Sequence, residues 1–359
     1  MTAEPRLEAP AVRASLPTRQ QRLEAMLDQL GDHAARHVPR LTECLYIAPS
    51  TICNLKCRFC AYPRSTLDKR LMPHELFTRV IEKACAFGFA TFGLTPVLGE
   101  ALLDPYFLCK LMFLEVTPGV SSYSFTTNFT VASPAVVAQL AQLKKLRSLQ
   151  ISIYGHNEDS FTRITQAPPR FFHKLLQHLE MLADSWESAA RVELRLRTTG
   201  AFTLAECDPR LRRVLDALQA RKAQVRVPHD RYSNWGGLIS PADVAGLGIR
   251  LKPVVAPQGP CTLLFYKPTV LPDGRLNACY SEDGNAALVI GDLSRQSFEE
   301  IYSLTNETYL RLITDQCLGR FASPCQECSG HRPTEQWHYS YNFHTEPFQT
   351  LAEFLESLH

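Results

Sequence analysis

The hydrophobic positions of the chain follow two periods, one typical of helices and one typical of strands. Helical spacing first appears near the N-terminus, at Leu23, Met26, Leu27 and Leu30. From about Glu43 onward, short β-like runs alternate with longer amphipathic segments. The predicted strands are Cys44–Ala48, Thr91–Thr95, Tyr123–Thr127, Leu149–Ile153, Val192–Thr198 and Gln224–Val227. The predicted helices are Pro73–Ala86, Pro105–Glu115, Pro134–Leu143, Ser160–Asp184 and Asp208–Ala220.

This alternation predicts the architecture of the larger part of the chain. A series of β-then-α units indicates a parallel sheet with right-handed crossovers. Periodicity alone fits an open doubly wound sheet and a partial barrel equally. After Arg231 the alternation ends, prolines become frequent, and shorter, loop-rich elements follow. The predicted parts are an N-terminal helical extension over residues 1–40, a first domain over 41–232 and a second domain over 233–359.

Charge and composition exclude several classes of protein. The 359 residues include 38 Lys and Arg against 36 Asp and Glu, which leaves a formal net charge of +2. This balance indicates no basic field for nucleic acid, and no apolar run approaches the roughly 18 residues that span a bilayer. The N-terminal segment lacks the apolar stretch of a secretory signal, so we expect a cytoplasmic protein. In that reducing compartment the 12 cysteines are expected to bind a metal or a cluster rather than form disulfides.

Three cysteines occur close together directly after the first predicted strand. Cys53, Cys57 and Cys60 have C-x3-C-x2-C spacing and fall on a βα loop. In parallel α/β folds such loops lie at the carboxyl end of the sheet, where active sites collect. Three thiolates suit an iron–sulfur cube that normally takes four ligands, which leaves one iron open to a small molecule. A zinc site would recruit a fourth Cys or His nearby, and this segment has neither.

Four further cysteines form two pairs in the last hundred residues. Cys261 and Cys279 bracket a predicted hairpin, whose Pro-Asp-Gly turn folds them toward each other. Cys325 and Cys328 add a C-x2-C pair. The predicted hairpin strands are Tyr266–Leu271 and Leu276–Tyr280. By spacing alone, these two pairs suit a structural zinc ion or a closed iron–sulfur cube.

The segment Cys-Asn-Leu-Lys-Cys-Arg-Phe-Cys resembles the signature of radical S-adenosylmethionine (SAM) enzymes. The resemblance covers most of the chain and implies a partial (βα)6 barrel. In that family, the open iron of a [4Fe–4S] cluster chelates the methionine amine and carboxylate. Reduction of the cluster cleaves SAM to a 5′-deoxyadenosyl radical, which abstracts a hydrogen atom from the substrate. The resemblance also implies an external reductant such as flavodoxin or ferredoxin.

Residues at successive predicted strand ends extend this resemblance. Gly99-Glu100 is similar to the family's Gly-Gly-Glu segment, which holds the methionine amine, although it is one glycine short. Glu100 also suits a second role, as a carboxylate near a helix N-terminus. Thr127-Asn128 is similar to the family's Thr-Asn-Gly, with Phe129 in place of the glycine.

The remaining matches concern the other contacts of SAM. Ser152 ends the fourth predicted strand and Arg163 follows it, as in family members that use such groups for the ribose and the carboxylate. Phe59 matches an aromatic position beside the adenine. The cofactor-binding residues that the resemblance implies are therefore Phe59, Gly99, Glu100, Asn128, Ser152 and Arg163.

The second cysteine set resembles the auxiliary-cluster domains called SPASM and twitch. Their C-x9–15-G-x4-C pattern is matched by Cys261, Gly274 and Cys279. No cysteine follows Cys328, so the shorter twitch arrangement with one auxiliary [4Fe–4S] cluster is expected, as in the 2-deoxy-scyllo-inosamine dehydrogenase type. On this view residues 41–232 form the radical SAM barrel and 233–359 the auxiliary-cluster domain. Cys317 could replace one ligand or donate a hydrogen atom.

These resemblances imply oxidation or remodelling of a polar sugar, aminocyclitol or nucleoside-like small molecule. A fully ligated auxiliary cluster suits an electron acceptor or relay. Epimerisation is an alternative, with Cys317 or Cys207 as the hydrogen-donating thiol. Modification of a ribosomal peptide and sulfur insertion from the auxiliary cluster are further alternatives. Outside the enzymes, the pattern also suits a zinc-stabilised interaction protein.

Overall fold

The computed structural model describes residues 16–41, 44–94, 97–200, 202–226, 231–334 and 349–359. The helices are α1 (Arg19–Leu30), α2 (His74–Phe87), α3 (Phe107–Val116), α4 (Pro134–Leu140), α5 (Glu158–Thr165), α6 (Arg170–Ser185), α7 (Pro209–Ala220), α8 (Phe298–Ile301), α9 (Glu307–Cys317), α10 (Ser323–Gln326) and α11 (Leu351–Glu356). The strands are β1 (His37–Val38), β2 (Leu45–Ile47), β3 (Thr91–Leu94), β4 (Ser122–Thr127), β5 (Leu146–Tyr154), β6 (Arg191–Arg197), β7 (Gln224–Arg226), β8 (Arg231–Tyr232), β9 (Arg250–Leu251), β10 (Thr269–Val270), β11 (Arg275–Asn277), β12 (Val289–Asp292) and β13 (Gln349–Thr350).

The central sheet confirms the predicted series of βα units. Strands β2 to β7 lie side by side in chain order, and every neighbouring pair among them is parallel. The six predicted strands correspond to β2 to β7, while Thr95 and Val227 at two predicted ends lie outside the described residues. Sequential parallel order with helical crossovers is the arrangement of a barrel, not of a doubly wound sheet whose order reverses.

One helix prediction is wrong. Residues 160–184 form parts of two helices, α5 and α6, instead of one. The chain turns at Gln166, which has a left-handed backbone with φ 54° and ends α5. Pro168 and Pro169 follow, and neither supplies a backbone N–H for a continuing helix. The apolar period runs through both helices, so it gives no sign of this break.

The two faces of the sheet differ in chemistry. In β6, Val192, Leu194 and Leu196 are at most 3 % exposed and belong to the apolar core. The alternate residues of the same strand point to the opposite face, because successive side chains of a strand alternate. That face carries Glu193, Arg195 and Arg197. It is polar and concave, whereas both faces of a fully buried parallel sheet are apolar.

The C-terminal part extends the same sheet. Within the described residues, nine strands form one sheet, and β10 pairs in parallel with β2 at its edge. The predicted hairpin is confirmed, since β10 and β11 are antiparallel with Thr269 opposite Asn277. Gly274 occupies its turn with φ 94°. The βα alternation therefore ends near the predicted boundary at 232, but strands from both sides of this boundary share one sheet.

The chain termini pack together on this framework. Thr18 and Gln21 form a capping box at the start of α1. Arg19 on α1 donates hydrogen bonds to the carbonyl oxygens of Glu356 (2.6 Å) and Leu358 (2.8 Å). The predicted N-terminal helix is thus present, while residues 1–15 of the predicted extension lie outside the described residues. Among the described helices, none combines the length and apolar character needed to cross a membrane.

Candidate active site

The first cysteine set lies on the loop after β2, at the carboxyl edge of the parallel sheet. This loop is tied to the end of α5, since Lys56 N donates to Thr165 O at 2.9 Å. Cys53, Cys57 and Cys60 all line one cavity. The structure therefore brings the three predicted ligands together around a common space.

Burial controls the protonation of these thiols. It raises the pKa of Cys53 to about 12 and that of Cys57 well above its ordinary value, because a thiolate loses its hydration here. The pKa of Cys60 is raised for the same reason. A metal cation reverses this effect because it stabilises the thiolate directly. The site thus favours metal-bound thiolates over free ones.

Glu100 places a buried carboxyl group in the wall of the same cavity, with 2 % of its surface exposed. Its Oε1 accepts hydrogen bonds from Leu102 N (3.1 Å) and Thr127 Oγ1 (2.5 Å), and its Oε2 accepts one from Asn128 N (2.6 Å). Burial raises the pKa of this carboxyl group, although the three hydrogen bonds oppose the rise. The Leu102 contact is the expected helix-cap role. The other two contacts tie Glu100 to β4 and orient it toward the cavity.

Gly99 allows the Glu100 segment to approach the cysteine loop. Its φ is +120°, and a Cβ at this position would lie 2.6 Å from Ser50 O. The next residue, Glu100, donates its N–H to Ile52 O at 2.7 Å. The two loops therefore meet backbone to backbone, which explains why this glycine is required although the preceding one of the family segment is Leu98 here.

Asn128 lines the cavity, but its side chain is engaged within the protein. Its Nδ2 donates to Asn54 Oδ1 at 3.0 Å, and its Oδ1 accepts from Thr130 Oγ1 at 2.7 Å. Asn54 Nδ2 closes the triangle by donating to Thr130 Oγ1 at 2.8 Å. Because Asn54 follows Cys53, this triangle positions the cysteine loop.

The facing wall comes from the ends of β5 and β6. Ser152, Tyr154 and Arg197 line the cavity together with Phe59. The Phe59 ring lies 4.8 Å from the Tyr232 ring and 5.5 Å from the Tyr154 ring, and the Arg197 guanidinium lies 5.8 Å from its centroid. Within the described part of the chain, Arg197 Nε is buried and has no hydrogen-bond partner. The wall therefore offers aromatic surface and an available cationic donor.

Arg163 does not reach this cavity, contrary to the prediction. Its Nη2 donates to Gly246 O, and its Nη1 lies 3.5 Å from a carboxylate oxygen of Asp159. The side chain is 46 % exposed on the outer side of α5. Arg197 supplies the arginine at the cavity instead, because β6 ends there.

The second cysteine set lines a separate cavity. The four cysteines that line it are Cys261, Cys279, Cys325 and Cys328. Burial raises the pKa of Cys325 and Cys328 to about 12 each, and it raises the pKa of the other two as well. The hairpin and the C-x2-C segment therefore converge as predicted.

Two neighbouring residues at the end of α9 differ in whether they line this cavity. Gln316 is fully buried and lines the cavity; its Oε1 accepts from Cys261 N at 2.9 Å and its Nε2 donates to Cys325 Sγ at 3.4 Å. Cys317, the next residue, belongs to the apolar core and is not among the residues that line either cavity. Cys207 lies outside both cavities too. Neither thiol is thus among the residues that line the two cavities, and their roles as ligand or hydrogen donor stay predictions.

A short connecting segment, Tyr232–Trp235, joins the two cavities. Trp235 lines the first cavity and its Nε1 donates to Phe59 O at 3.1 Å. Asn234 donates from Nδ2 to Glu327 O at 2.5 Å, next to the second cysteine set. The backbone of Trp235 is left-handed with φ 53°, which is uncommon for a bulky residue. Contacts to both sites therefore fix the conformation of this segment.

Two family matches agree with these sites. Residues 47–192 match the radical SAM superfamily, and residues 261–329 match the SPASM iron-sulfur cluster-binding domain. The chain therefore contains a radical SAM domain followed by a SPASM domain. Its cofactors are SAM, a [4Fe–4S] cluster and an auxiliary iron–sulfur cluster. The match decides between the zinc ion and the iron–sulfur cluster that the spacing of the second cysteine set left open.

Solved structures show the same fold. The structure of BtrN in complex with AdoMet and 2-DOIA has a TM-score of 0.53 at 15 % identity, covering 85 % of this chain and 99 % of that one. SuiB of Streptococcus suis bound to precursor peptide SuiA has a TM-score of 0.53 at 14 % identity, covering 93 % of this chain and 81 % of that one. These likenesses confirm the predicted α/β partial barrel. Among proteins of curated function, none matches the sequence significantly.

The cysteines that line both cavities suit these cofactors, and several other residues of the two sites were not predicted from sequence, three of which make contacts within these sites. They are Arg197, Trp235 and Gln316. The alternation Arg-Val-Glu-Leu-Arg-Leu-Arg in β6 is a signal for Arg197, because it places charged residues on one face of a predicted strand. The Asn-Trp-Gly-Gly run indicates a boundary but no contact. Gln316 has no local signal, since its approach to the cysteines depends on the packing of α9.

Proposed function

We propose that this enzyme oxidises a polar small molecule by hydrogen-atom abstraction and passes an electron to its auxiliary cluster. The observation that carries this proposal is that four cysteines from the hairpin and the C-x2-C segment line the second cavity. With four thiolate ligands a cube has no iron open to a substrate, so electron transfer is the role that suits it best. Oxidation of a carbinol carbon then balances: one hydrogen atom leaves in the abstraction, a proton leaves to solvent, and an electron enters the auxiliary cluster.

The residues of the first cavity take distinct roles in this proposal. Bound SAM with the reduced cluster supplies hydrogen-atom abstraction, and the protein supplies position. Glu100 faces the methionine ammonium, because a buried carboxylate with a raised pKa is stabilised by a cation. Arg197 binds the methionine carboxylate through its available Nε. Phe59 lies against the adenine.

The positions of the remaining thiols favour oxidation over epimerisation. An epimerase must return a hydrogen atom to the substrate radical, and a cysteine thiol is a suitable donor. Neither Cys317 nor Cys207 lines the cavity that holds the first cysteine set. Oxidation needs no such donor. The choice between a small molecule and a peptide, and the reductant that supplies electrons to the first cluster, stay predictions.

Two sets of variants test this function in anaerobically reconstituted protein. The wild type should bind about eight irons, and replacement of Cys53, Cys57 and Cys60 by Ala should leave about four and abolish 5′-deoxyadenosine formation. Cys328→Ala should retain 5′-deoxyadenosine formation but suppress the oxidised product. Cys317→Ala is the control and should behave as wild type. Cleavage of SAM by the triple variant would refute the first site, and product at the wild-type rate from Cys328→Ala would refute electron transfer through the second.

A further inference from the structure

The concave face of the sheet carries polar side chains directly below the proposed SAM site. We define this concave polar face by Thr126, Ser148, Gln150, Ser152, Glu193 and Arg195. Side chains of neighbouring parallel strands lie in rows: Gln150 is the register partner of Glu193, and Ser152 is the partner of Arg195. Since Ser152 lines the first cavity and strands lie about 4.8 Å apart, Arg195 is immediately beside that cavity.

Positive charge exceeds negative charge on this face. Glu193 is 2 % exposed, and its Oε1 accepts from Arg195 Nε at 2.8 Å and lies 3.2 Å from Arg226 Nε. Arg195 and Arg226 are themselves register partners, so two like charges stand side by side with one carboxylate between them. Juxtaposed like charges are destabilising unless they are neutralised. Among the described residues, the two positive charges therefore share one carboxylate partner, and both guanidinium groups are accessible, with 33 % of the Arg195 side chain and 60 % of the Arg226 side chain exposed.

Unpartnered polar atoms occur on the same face. Within the described residues, Arg197 Nε is buried without a hydrogen-bond partner, and Arg197 lies two positions from Arg195 on the same face of β6. Ser148 Oγ is also unpartnered there, but Ser148 is the register partner of Arg191 and lies at the far end of the face. Arg195 donates to Glu193 through Nε alone in the described part of the chain. Because buried polar groups are almost always hydrogen-bonded, this face has the character of a site that a polar ligand completes.

We infer that the substrate carries an anionic group, a carboxylate or a phosphate, which Arg195 and Arg226 bind. This inference rests on the proposed function, because it places the anion below the SAM site. An anion there neutralises the second guanidinium, and both arginines have a planar donor edge suited to two oxygen atoms. Ser152 and Gln150 then face the neutral part of the substrate. Arg195 and Arg226 are the specificity-determining residues of this site.

The test measures anion binding to the reconstituted full chain with SAM present at saturation, so that the SAM carboxylate site is filled. The probes are inorganic phosphate and succinate, each compared with chloride at equal ionic strength by calorimetry. We expect the wild type to bind at least one of them, and the preferred probe identifies the substrate's anion as phosphate or carboxylate. Arg195→Gln and Arg226→Gln should each weaken this binding by about tenfold or more. Each variant keeps one arginine on Glu193, so the buried carboxylate stays paired.

Arg191 provides a matched control on the same strand and the same face. It is exposed at the opposite end of β6, about 13 Å from Arg195 at 3.3 Å per residue. Arg191→Gln removes the same charge and should bind the probe as the wild type does. The inference is overturned if neither probe binds above chloride, or if all three variants bind alike. It is also overturned if Arg195→Gln raises the dissociation constant of SAM as much as that of the probe. Failure of the proposed function is a separate result, namely no 5′-deoxyadenosine from the wild type under reducing conditions.

Discussion

Replacement of Glu100 by Gln tests the first site most directly. The carboxylate accepts three hydrogen bonds, two at Oε1 and one at Oε2. The amide nitrogen of Gln cannot accept, so at least one of the donors from Leu102, Thr127 or Asn128 is left unsatisfied. That loss costs about 1–3 kcal/mol of folding free energy because the donors are buried. The variant also removes the negative charge that faces the proposed methionine ammonium.

The loss of charge has its own magnitude. A hydrogen bond to a charged group contributes about 1.5–3 kcal/mol, so the dissociation constant of SAM should rise about ten- to a hundredfold. Glu115 supplies a matched control at the other end of β4. Its Oε1 accepts from Tyr123 OH (2.7 Å) and Lys145 N (2.9 Å), and its Oε2 accepts from Lys144 N (2.9 Å). Glu115→Gln therefore disturbs the same pattern of bonds without touching the cavity.

Calorimetric titration of SAM into reconstituted wild type, Glu100→Gln and Glu115→Gln separates the two effects. Iron content and circular dichroism establish that the three proteins are folded and loaded alike. We expect weaker SAM binding in Glu100→Gln alone. If its dissociation constant stays within about twofold of that of Glu115→Gln, Glu100 serves only as a helix cap and the reasoning fails.

Three further predictions concern the same framework. Gly99→Ala should weaken SAM binding, because its φ is +120° and the new Cβ would lie 2.6 Å from a carbonyl oxygen. Gly31→Ala, with φ +51° and no atom within 4 Å of the new Cβ, controls for backbone strain alone. Asn234→Ala should speed hydrogen exchange in residues 323–334 and lower the iron content of the auxiliary cluster, since two side-chain hydrogen bonds to that segment are lost. Asn285→Ala loses one hydrogen bond at an exposed position and should change neither quantity. Burial raises the pKa of Glu100 above 4.5, so its contribution to stability is present below pH 4.5 and is lost as the pH rises through the raised value. SAM binding should show the opposite trend and strengthen as the pH rises over that range, because the bound cation favours the ionised form of Glu100. Binding should therefore release protons, which calorimetry in two buffers of different ionisation enthalpy measures.

The fold was predictable where local pattern and tertiary structure agree. In β4 and β6 polar and apolar residues alternate, and the apolar ones are buried. The pairing of β10 with β2 has no such signal, because it joins segments more than two hundred residues apart in the sequence. The break between α5 and α6 was missed for a different reason. The apolar period continues through both helices and by itself predicts one helix, whereas Pro168-Pro169 is a sequence signal for the break.

The convergence of each predicted cysteine set on one cavity was predictable because short spacings and a hairpin turn place these thiols near one another. Cys53, Cys57 and Cys60 must come from one loop to surround a common point. Hydrogen-bond partners carry no such constraint. Asn128 follows a strand as the resemblance implies, yet its amide is engaged with Asn54 and Thr130. Residue type at a strand end thus predicts proximity to the site but not which group the side chain contacts.

Arg163 and Arg197 show that the resemblance predicts an arginine near the site but not which arginine lines the cavity. An arginine after the fourth predicted strand suits a carboxylate contact, and Arg163 occupies that place in the sequence. It lies on the outer side of α5, because the apolar stripe of that helix packs inward against the sheet. Arg197 is on β6, where strict alternation directs every second side chain to the concave face. Arg197 would then bind the SAM carboxylate and Arg195 the substrate anion. The two residues are successive positions on the same face of β6. This arrangement would hold substrate and cofactor in a fixed relation, because β6 is hydrogen-bonded to neighbours on both sides.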